Sequence, residues 1–210
     1  MSTFNRAYLT PQTLLGLLLA ALAIPVSSKD LPPIDQLQLP AGFKVAIYSA
    51  DVPNARELAI GSRGTVFAGS RGEGKVYAIT DEDQDGRAEK VRVIADGLKM
   101  PVGVAFHDGD LYVSAVGRIL ALRDIEDHLV KPPKPEVVVA DLPSETHNGR
   151  QFIAYGPAGK SYVPLGAPCN ICDRNGYAKL VRMNADGSDR EGVAFGIRNT
   201  VGFDWQPETN

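Results

Sequence analysis

The feature that most restricts the fold of this chain is a unit of four short apolar stretches that occurs three times in succession. The copies run from Glu57 to Leu98, from Val102 to Leu142 and from Gln151 to Ile197. Each copy begins with an apolar stretch that meets a glycine turn. Three stretches rich in β-branched and aromatic residues follow, which is the pattern of β-strands. The turn glycines recur after 45 and then 50 residues, at Gly64, Gly109 and Gly159.

A four-strand unit of this period is typical of a propeller blade. We therefore predict an all-β fold, a β-propeller of four-stranded antiparallel blades. A β-sandwich is the alternative, but it does not require units with the turn glycine at the same place. No long helical pattern is present, and Leu122–Leu129 is long enough only for a short helical turn.

The chain contains about three blades and the beginning of another. Thr200–Asn210 resembles the start of a fourth blade, with Gly202–Trp205 as its first strand. Propellers usually close with about four to eight blades, and an open ring leaves unpaired sheet edges. We therefore expect the chain to be the N-terminal part of a longer protein. A small closed barrel is the alternative, and it does not explain an ending inside a hairpin.

The first 28 residues have the pattern of a secretory signal peptide. Arg6 precedes an apolar run of 13 residues, Leu14–Val26, and Ser27 and Ser28 follow it. The run is short for a membrane-spanning helix, and an uncleaved anchor is the alternative. We predict a signal peptide at 1–28, an extended lead-in with the first strand at 29–56 and a partial propeller at 57–210. The protein would then be exported, periplasmic or secreted, and free of the membrane after cleavage.

Charge argues against a nucleic-acid partner. The formal net charge is −3, and lysines and arginines form no cluster along the chain. A nucleic-acid-binding domain ordinarily carries a basic patch or stripe.

The two cysteines are Cys169 and Cys172. In an oxidising compartment, such a pair most simply forms a local disulfide. A c-type haem site needs histidine after the second cysteine, where Asp173 stands, and a zinc site needs about four ligands. We therefore predict a local disulfide.

An acidic stretch lies between the third and fourth strands of the first unit. Asp81, Asp83 and Asp85 precede Gly86, and this spacing resembles the start of a calcium-binding loop. Arg92 stands where an EF-hand has its last glutamate, so an EF-hand is excluded. A solvated acidic turn is the simpler interpretation, and weak calcium binding is the other.

His147 differs in its placement from the other two histidines. His107 enters a turn and His128 lies in a charged connector, so we expect both on the surface. His147 lies in the link that leads from one unit into the next, and such links can face the central channel of a propeller. A neutral imidazole there can act as a general base, although a structural or exposed histidine is the alternative.

Arg198 and Asn199 occupy the corresponding link one unit later. Arginine is suited to carboxylate or quinone oxygens. If the two links converge on a common axis, an anionic planar ligand is the natural candidate. An ion pair across a blade interface is the alternative for Arg198.

Three segments resemble the sorbosone dehydrogenase branch of the soluble glucose dehydrogenase-like quinoproteins. They are "LPSETHNGRQFIAYGPAGKSYVPLGAPCNIC" (142–172), "RMNADGS" (182–188) and "GIRNTVGFDW" (196–205). The resemblance implies a six-bladed propeller that uses pyrroloquinoline quinone and calcium to oxidise an aldose or related sugar aldehyde by hydride transfer to the quinone. It also implies that His147 takes a proton from the sugar, that Arg198 faces the reactive carbonyls of the quinone and that Asn199 helps to hold the cofactor.

The chain departs from that branch in two ways. Asn148 and Arg150 stand where relatives often carry a second histidine and an aromatic residue. The principal calcium ligands of the family come from later blades, beyond Asn210, so we expect this chain alone to be inactive. The sequence does not identify the electron acceptor. A non-catalytic periplasmic propeller that binds a glycan or a protein partner is the alternative function. A lactonase-type hydrolase would need a carboxylate-rich metal site in the channel, which the links of this chain do not offer.

Overall fold

The computed structural model describes residues 32–149 and 151–207. The predicted signal peptide at 1–28 lies outside the described residues. Two short 3₁₀ helices occur in the described part, at Ile34–Gln36 and Ile125–Asp127. The second lies within Leu122–Leu129, where the sequence allows only a short helical turn. No helix among the described residues is long and apolar enough to cross a membrane.

The described residues form three antiparallel sheets of four strands, each in simple chain order, which confirms the predicted all-β fold of four-stranded antiparallel blades. The first blade contains β1 (Ala55–Ile60), β2 (Val66–Ser70), β3 (Val76–Thr80) and β4 (Lys90–Ala95). The second contains β5 (Gly103–His107), β6 (Asp110–Ala115), β7 (Arg118–Leu122) and β8 (Glu136–Val139). The third contains β9 (Ala154–Tyr155), β10 (Ser161–Leu165), β11 (Lys179–Met183) and β12 (Glu191–Phe195).

The blades are held together face to face. Alternate side chains of a strand point to opposite faces, so each sheet offers one apolar face to each neighbour. One core joins the first blade to the second, and another joins the second blade to the third. The first core includes Phe67, Val76, Val104, Leu111 and Leu120. The second includes Tyr112, Ile119, Ile153, Val163 and Met183.

The beginnings of the first strands lie together. Ser70 pairs with Ala55 at the start of β1, and its backbone N–H donates to the carbonyl of Pro101, just before β5, at 2.9 Å. A Cβ added at Gly103 would lie 2.2 Å from the carbonyl oxygen of Gln151. The segments that join one blade to the next therefore gather at one end of the molecule, here called the link end. The glycine turns after β1, β5 and β9 lie at the other end, here called the turn end.

The outer faces of the first and third blades are only partly covered. On the first blade, Tyr48 and Val52 of the lead-in pack beside Ala68 and Tyr77. On the same face Leu58, Ile60 and Val93 remain exposed. A four-stranded sheet thus leaves an apolar face open wherever no further sheet lies against it.

The expected first strand of a fourth blade, Gly202–Trp205, is not a strand in the structure. A strand needs a partner that satisfies its backbone N–H and C=O groups, and no partner strand for this segment occurs among the described residues. Its aromatic rings nevertheless pack on the third blade. The rings of Phe203 and Phe152 lie 4.8 Å apart, and those of Trp205 and Tyr162 lie 5.0 Å apart.

We expect Phe67→Ala to lower the free energy of unfolding by about 3–5 kcal/mol, because it leaves a cavity between two blades. Phe67 is 0% exposed, and its ring stacks on that of Phe106 at 5.8 Å. Phe195→Ala is the matched control, since Phe195 is 72% exposed, and it should change stability by less than about 0.5 kcal/mol. Urea unfolding of both variants checks this, and equal losses would contradict the packing described.

Candidate functional site

The His147 link (residues 143–149) carries the exposed His147 between two anchored residues. On one side, the carboxylate of Glu145 accepts a hydrogen bond from the hydroxyl of Tyr177 and pairs with Arg174 at 3.1 Å. The Tyr177 hydroxyl, aided by Arg174, lowers the pKa of Glu145. On the other side, the amide of Asn148 donates to the carbonyl of Ala167 at 2.9 Å. The link is therefore held at two points, one on either side of the exposed imidazole.

Asn148 and Gly149 make the tight bend of this link. Asn148 has a φ of +52°, a left-handed conformation that asparagine tolerates better than most residues. A Cβ at Gly149 would lie 2.0 Å from the carbonyl oxygen of Glu145, so a side chain there would force the backbone apart. The "HNG" sequence is thus explained by the bend that presents His147.

The Arg198 link (residues 196–201) lies at the same end of the molecule. The carbonyl of Arg198 accepts a hydrogen bond from the backbone N–H of Ala167 at 2.7 Å. The guanidinium of Arg198 is exposed, and its contact with the side-chain oxygen of Asn170 is long, at 3.5 Å. Asn199 is exposed as well.

Ala167 joins the two predicted links. Its N–H donates to the carbonyl of Arg198, and its own carbonyl accepts a hydrogen bond from the side-chain amide of Asn148. The links that carry His147 and Arg198 are therefore both hydrogen-bonded to Ala167. Their catalytic and cofactor-binding roles stay predictions.

The loop that continues from Ala167 carries the two cysteines. Cys169 and Cys172 form a disulfide with their Cα atoms 5.6 Å apart. Asn170, whose side-chain oxygen contacts the Arg198 guanidinium, lies inside this small ring. The disulfide therefore closes the loop that lies beside the Arg198 link.

A cleft of about 390 Å³ opens on the axis between the first strands. We call it the central cleft, and residues from all three blades and from the Arg198 link contribute to its lining: Arg56, Glu57, Leu58, Val102, Phe152 and Val201. The sequence analysis did not identify Arg56 or Glu57. The signal that marks Glu57 is an acidic residue within a first strand, β1.

Glu57 is half-buried and lines the central cleft. The backbone N–H donors of Ile153 and Val104 lower its pKa. Those donors favour the ionised form, but the loss of water around the carboxyl group outweighs them. Burial raises the pKa of Glu57 to about 9, so the group is neutral at physiological pH.

The acidic turn lies away from this site. The structure gathers the carboxylates of Asp81, Asp83 and Asp85 and adds Glu89, with one oxygen of each within 4.8 Å of the others. Asp81 also accepts backbone N–H groups from Asp85 and Gly86 at 3.2 and 3.0 Å, which explains the turn without an ion. Because β3 runs away from the link end, the turn after it lies at the turn end. Calcium binding there stays a prediction.

The other two histidines lie outside the link end. His107 stacks on Tyr155 at 4.0 Å between ring centroids, at the turn end. His128 is exposed, and its Nδ1 lies 2.9 Å from the carbonyl oxygen of Asp124. Neither contributes to the central cleft.

Residues 34–203 match a sequence family described as a domain of unknown function, DUF7133. The chain belongs to the DUF7133 family. An uncharacterized protein of Borreliella burgdorferi is 30% identical over 186 residues, which make up 83% of this chain and 47% of that relative. This DUF7133 chain therefore spans about half the length of the curated relative it matches.

Solved structures with a similar fold include sugar dehydrogenases. The pyranose dehydrogenase PQQ domain of Coprinopsis cinerea has a TM-score of 0.68 at 16% identity, covering 79% of this chain and 44% of that one. The PQQ-bound aldose sugar dehydrogenase of Streptomyces coelicolor has a TM-score of 0.54 at 18% identity, covering 68% and 48%. The calcium structure of a Trichoderma reesei family AA12 enzyme has a TM-score of 0.56 at 18% identity, covering 65% and 36%. At these identities the likeness shows the fold alone, which is that of a β-propeller.

We expect the stability of the chain to fall as the pH rises from about 5 to 9, with Glu57 as one cause. The unfolded carboxyl group ionises near its ordinary pKa of 4.5, whereas the folded one stays protonated to about 9. Folding therefore binds a proton in this window. The contribution of Glu57 to the free energy of unfolding is fully present below about pH 4.5, and each pH unit above that lowers it by at most about 1.4 kcal/mol. Arg56 is the only titratable neighbour among the residues that line the central cleft.

Glu57→Gln should remove this part of the slope, because glutamine does not ionise. Glu136→Gln is the matched control, since Glu136 is exposed and pairs with Arg123 on the surface. Urea unfolding at several pH values checks the prediction. A wild-type slope that Glu57→Gln leaves unchanged would contradict it.

Proposed function

We propose that this chain forms the first half of an exported dehydrogenase that oxidises a small sugar with pyrroloquinoline quinone. The observation that carries the proposal is the junction at Ala167, where the His147 link and the Arg198 link are hydrogen-bonded to the same residue. In this proposal His147 is the general base and Arg198 is the cation, and both act at the link end. The sugar dehydrogenases that share the fold support the same reading.

The chemistry requires a base for the sugar and a cation for the acceptor. His147, as a neutral imidazole, takes the proton from the hydroxyl group that is oxidised, which makes the carbon a better hydride donor. The bound quinone supplies the acceptor for that hydride. Arg198 stabilises negative charge that develops beside it, and Asn199 offers an amide to a carbonyl or carboxylate.

The residues present fit such a cofactor. Pyrroloquinoline quinone is flat and carries carboxylates, and the central cleft offers the guanidinium of Arg56 beside the apolar surfaces of Val102 and Phe152. Arginine binds carboxylates through two parallel hydrogen bonds. Arg56 and Arg198 would hold the carboxylate and carbonyl oxygens. The acidic turn lies at the turn end, so calcium beside the cofactor would need ligands from elsewhere, and we propose that these lie beyond residue 210.

The first test is cofactor binding and turnover in the protein expressed from its complete gene. We expect stoichiometric binding of pyrroloquinoline quinone in the presence of calcium, and reduction of a dye that depends on added aldose. Binding of a glycan or a protein partner without either result would favour the non-catalytic propeller. Cell fractionation tests whether the protein is exported from the cytoplasm. N-terminal sequencing of the exported protein tests cleavage near residue 28.

His147→Ala should lower kcat by about 10²–10⁴-fold, the range expected for loss of a general base, while cofactor affinity changes little. His128→Ala is the matched control, because His128 is exposed and remote from the central cleft. Dye-reduction kinetics and a cofactor titration measure the two quantities. Unchanged turnover in His147→Ala would remove the base assignment.

Arg198→Ala should weaken binding of pyrroloquinoline quinone by about 10–100-fold, since a hydrogen bond to a charged group contributes about 1.5–3 kcal/mol. Arg118→Ala, on an exposed residue of the second blade, serves as the control for loss of one positive charge. Fluorescence titration with the cofactor measures both. Equal affinities for Arg198→Ala and the wild type would exclude Arg198 from the cofactor site.

A further inference from the structure

The loop between β10 and β11 is much longer than the corresponding loops of the other two blades. It runs from residue 166 to residue 178 and has 13 residues, whereas the β2–β3 loop has five (71–75) and the β6–β7 loop has two (116–117). All three loops lie at the link end, because the second strand of each blade runs back toward it from the glycine turn. Long loops on a rigid sheet are where proteins commonly place functional residues. The third blade thus carries extra chain at the end of the molecule where the two predicted links lie.

The β10–β11 loop holds the His147 link on both sides of the histidine. After the histidine, the carbonyl of Ala167 accepts a hydrogen bond from the side-chain amide of Asn148 at 2.9 Å. Before the histidine, the carboxylate of Glu145 accepts a hydrogen bond from the hydroxyl of Tyr177. The two backbones also approach closely, since a Cβ added at Gly166 would lie 2.5 Å from the carbonyl oxygen of Asn148. The beginning and the end of the loop therefore both bind this link.

The same loop holds the Arg198 link, again through its beginning and its end. The backbone N–H of Ala167 donates to the carbonyl of Arg198 at 2.7 Å, and the backbone N–H of Ile197 donates to the carbonyl of Ala178 at 3.0 Å. Ala178 has a φ of +51°, a left-handed conformation that costs free energy for alanine. Such a conformation persists only where surrounding contacts impose it, and it is frequent at functional sites. The loop thus accepts backbone strain at one of its contacts with this link.

The middle of the loop is exposed and is closed by the disulfide between Cys169 and Cys172. Every residue from 170 to 176 is exposed, so apolar burial does little to fix this part of the chain. Segments with few buried contacts open at a low free energy, and a cross-link removes open conformations. Cys169 comes two residues after Ala167. The disulfide therefore restrains the chain beside the residue to which both links are hydrogen-bonded.

We propose that the β10–β11 loop is the positioning element of the site, and that its disulfide keeps Ala167 in the place where it holds the His147 link and the Arg198 link together. The proposal rests on the proposed function in so far as His147 is the base and Arg198 the cation. The loop acts through the two links. Opening it should therefore disturb both links at once, whereas a substitution of His147 or Arg198 changes one of them.

Amide hydrogen exchange of the protein expressed from its complete gene tests the contacts without any cofactor. In the wild type, the amides of Ala167 and Ile197 should be protected, since both donate to carbonyl groups between the loop and the Arg198 link. The double variant Cys169→Ser, Cys172→Ser should exchange both amides at least about tenfold faster, because the loop opens more often. Ile171→Ala is the matched control. Ile171 lies inside the disulfide ring and is 98% exposed, so both rates should stay within about threefold of the wild type.

Unprotected amides in the wild type would overturn the contacts, and unchanged protection in the double variant would overturn the role of the disulfide. Should the double variant fail to fold, the wild type can be reduced with dithiothreitol under native conditions, since Cys172 is exposed. In that exchange the two cysteines gain two electrons and two protons, and the reagent becomes a cyclic disulfide. Faster exchange of both amides that is reversed on reoxidation supports the proposal. Unchanged exchange in the fully reduced protein overturns it.

Cofactor titration and dye-reduction kinetics test the consequence for the site. The double cysteine variant should lower both kcat and the affinity for pyrroloquinoline quinone at least about tenfold, because small displacements of reacting groups are costly. Phe67→Ala is the control for lost stability, since Phe67 lies in the core between the first two blades, and the folded variant should keep both quantities within about threefold. A change in only one of the two quantities would contradict the coupling of the links. Absence of turnover in the wild type would overturn the proposed function, whereas the exchange results would still decide the role of the loop.

Discussion

Face-to-face packing of four-stranded sheets is the constraint on which the rest of this structure depends. A single sheet of four short strands has two apolar faces and cannot bury both by itself. Phe67 and Val76 of the first blade meet Val104 and Leu111 of the second, and Tyr112 of the second blade belongs to the core that includes residues of the third. Since sheets stacked in this way twist in one direction, their first strands come together along one axis.

The site is a consequence of that convergence. Each link runs from the end of the fourth strand of one blade to the start of the first strand of the next blade. All links therefore lie at the link end. There, Ala167 is hydrogen-bonded to both predicted links, through its N–H to Arg198 and through its carbonyl to Asn148. Side chains that are far apart in the sequence, such as Arg56 and Val201, line one cleft for the same reason.

The family match and the structural likeness give different information about the function. The family description names no activity, and the solved structures are alike at the level of the fold. Many propellers share that fold with different chemistry, because function resides in the residues of a site. The proposed oxidation of a sugar therefore depends on His147, Arg198 and Arg56 and on the cleft they adjoin.

The repeat of four strands could be predicted from the sequence, because strand pattern and glycine turns are local properties of a few residues. Gly64, Gly109 and Gly159 all have positive φ values, so the residue type and the turn agree at each place. The link positions of His147 and Arg198 followed from the same repeat. By contrast, Gly202–Trp205 has the pattern of a strand and is not one, because a strand exists only with a partner.

What the sequence alone determined is the blade, its period and the two links, since these depend on neighbours in the chain. Only the tertiary structure decided which groups meet on the axis. Nothing in the local sequence around Glu57 indicates that it lines one cleft with Phe152 and Val201, which lie 95 and 144 positions later. Its raised pKa comes from the same source, because the desolvation that causes it is produced by blades that touch only after the chain has folded.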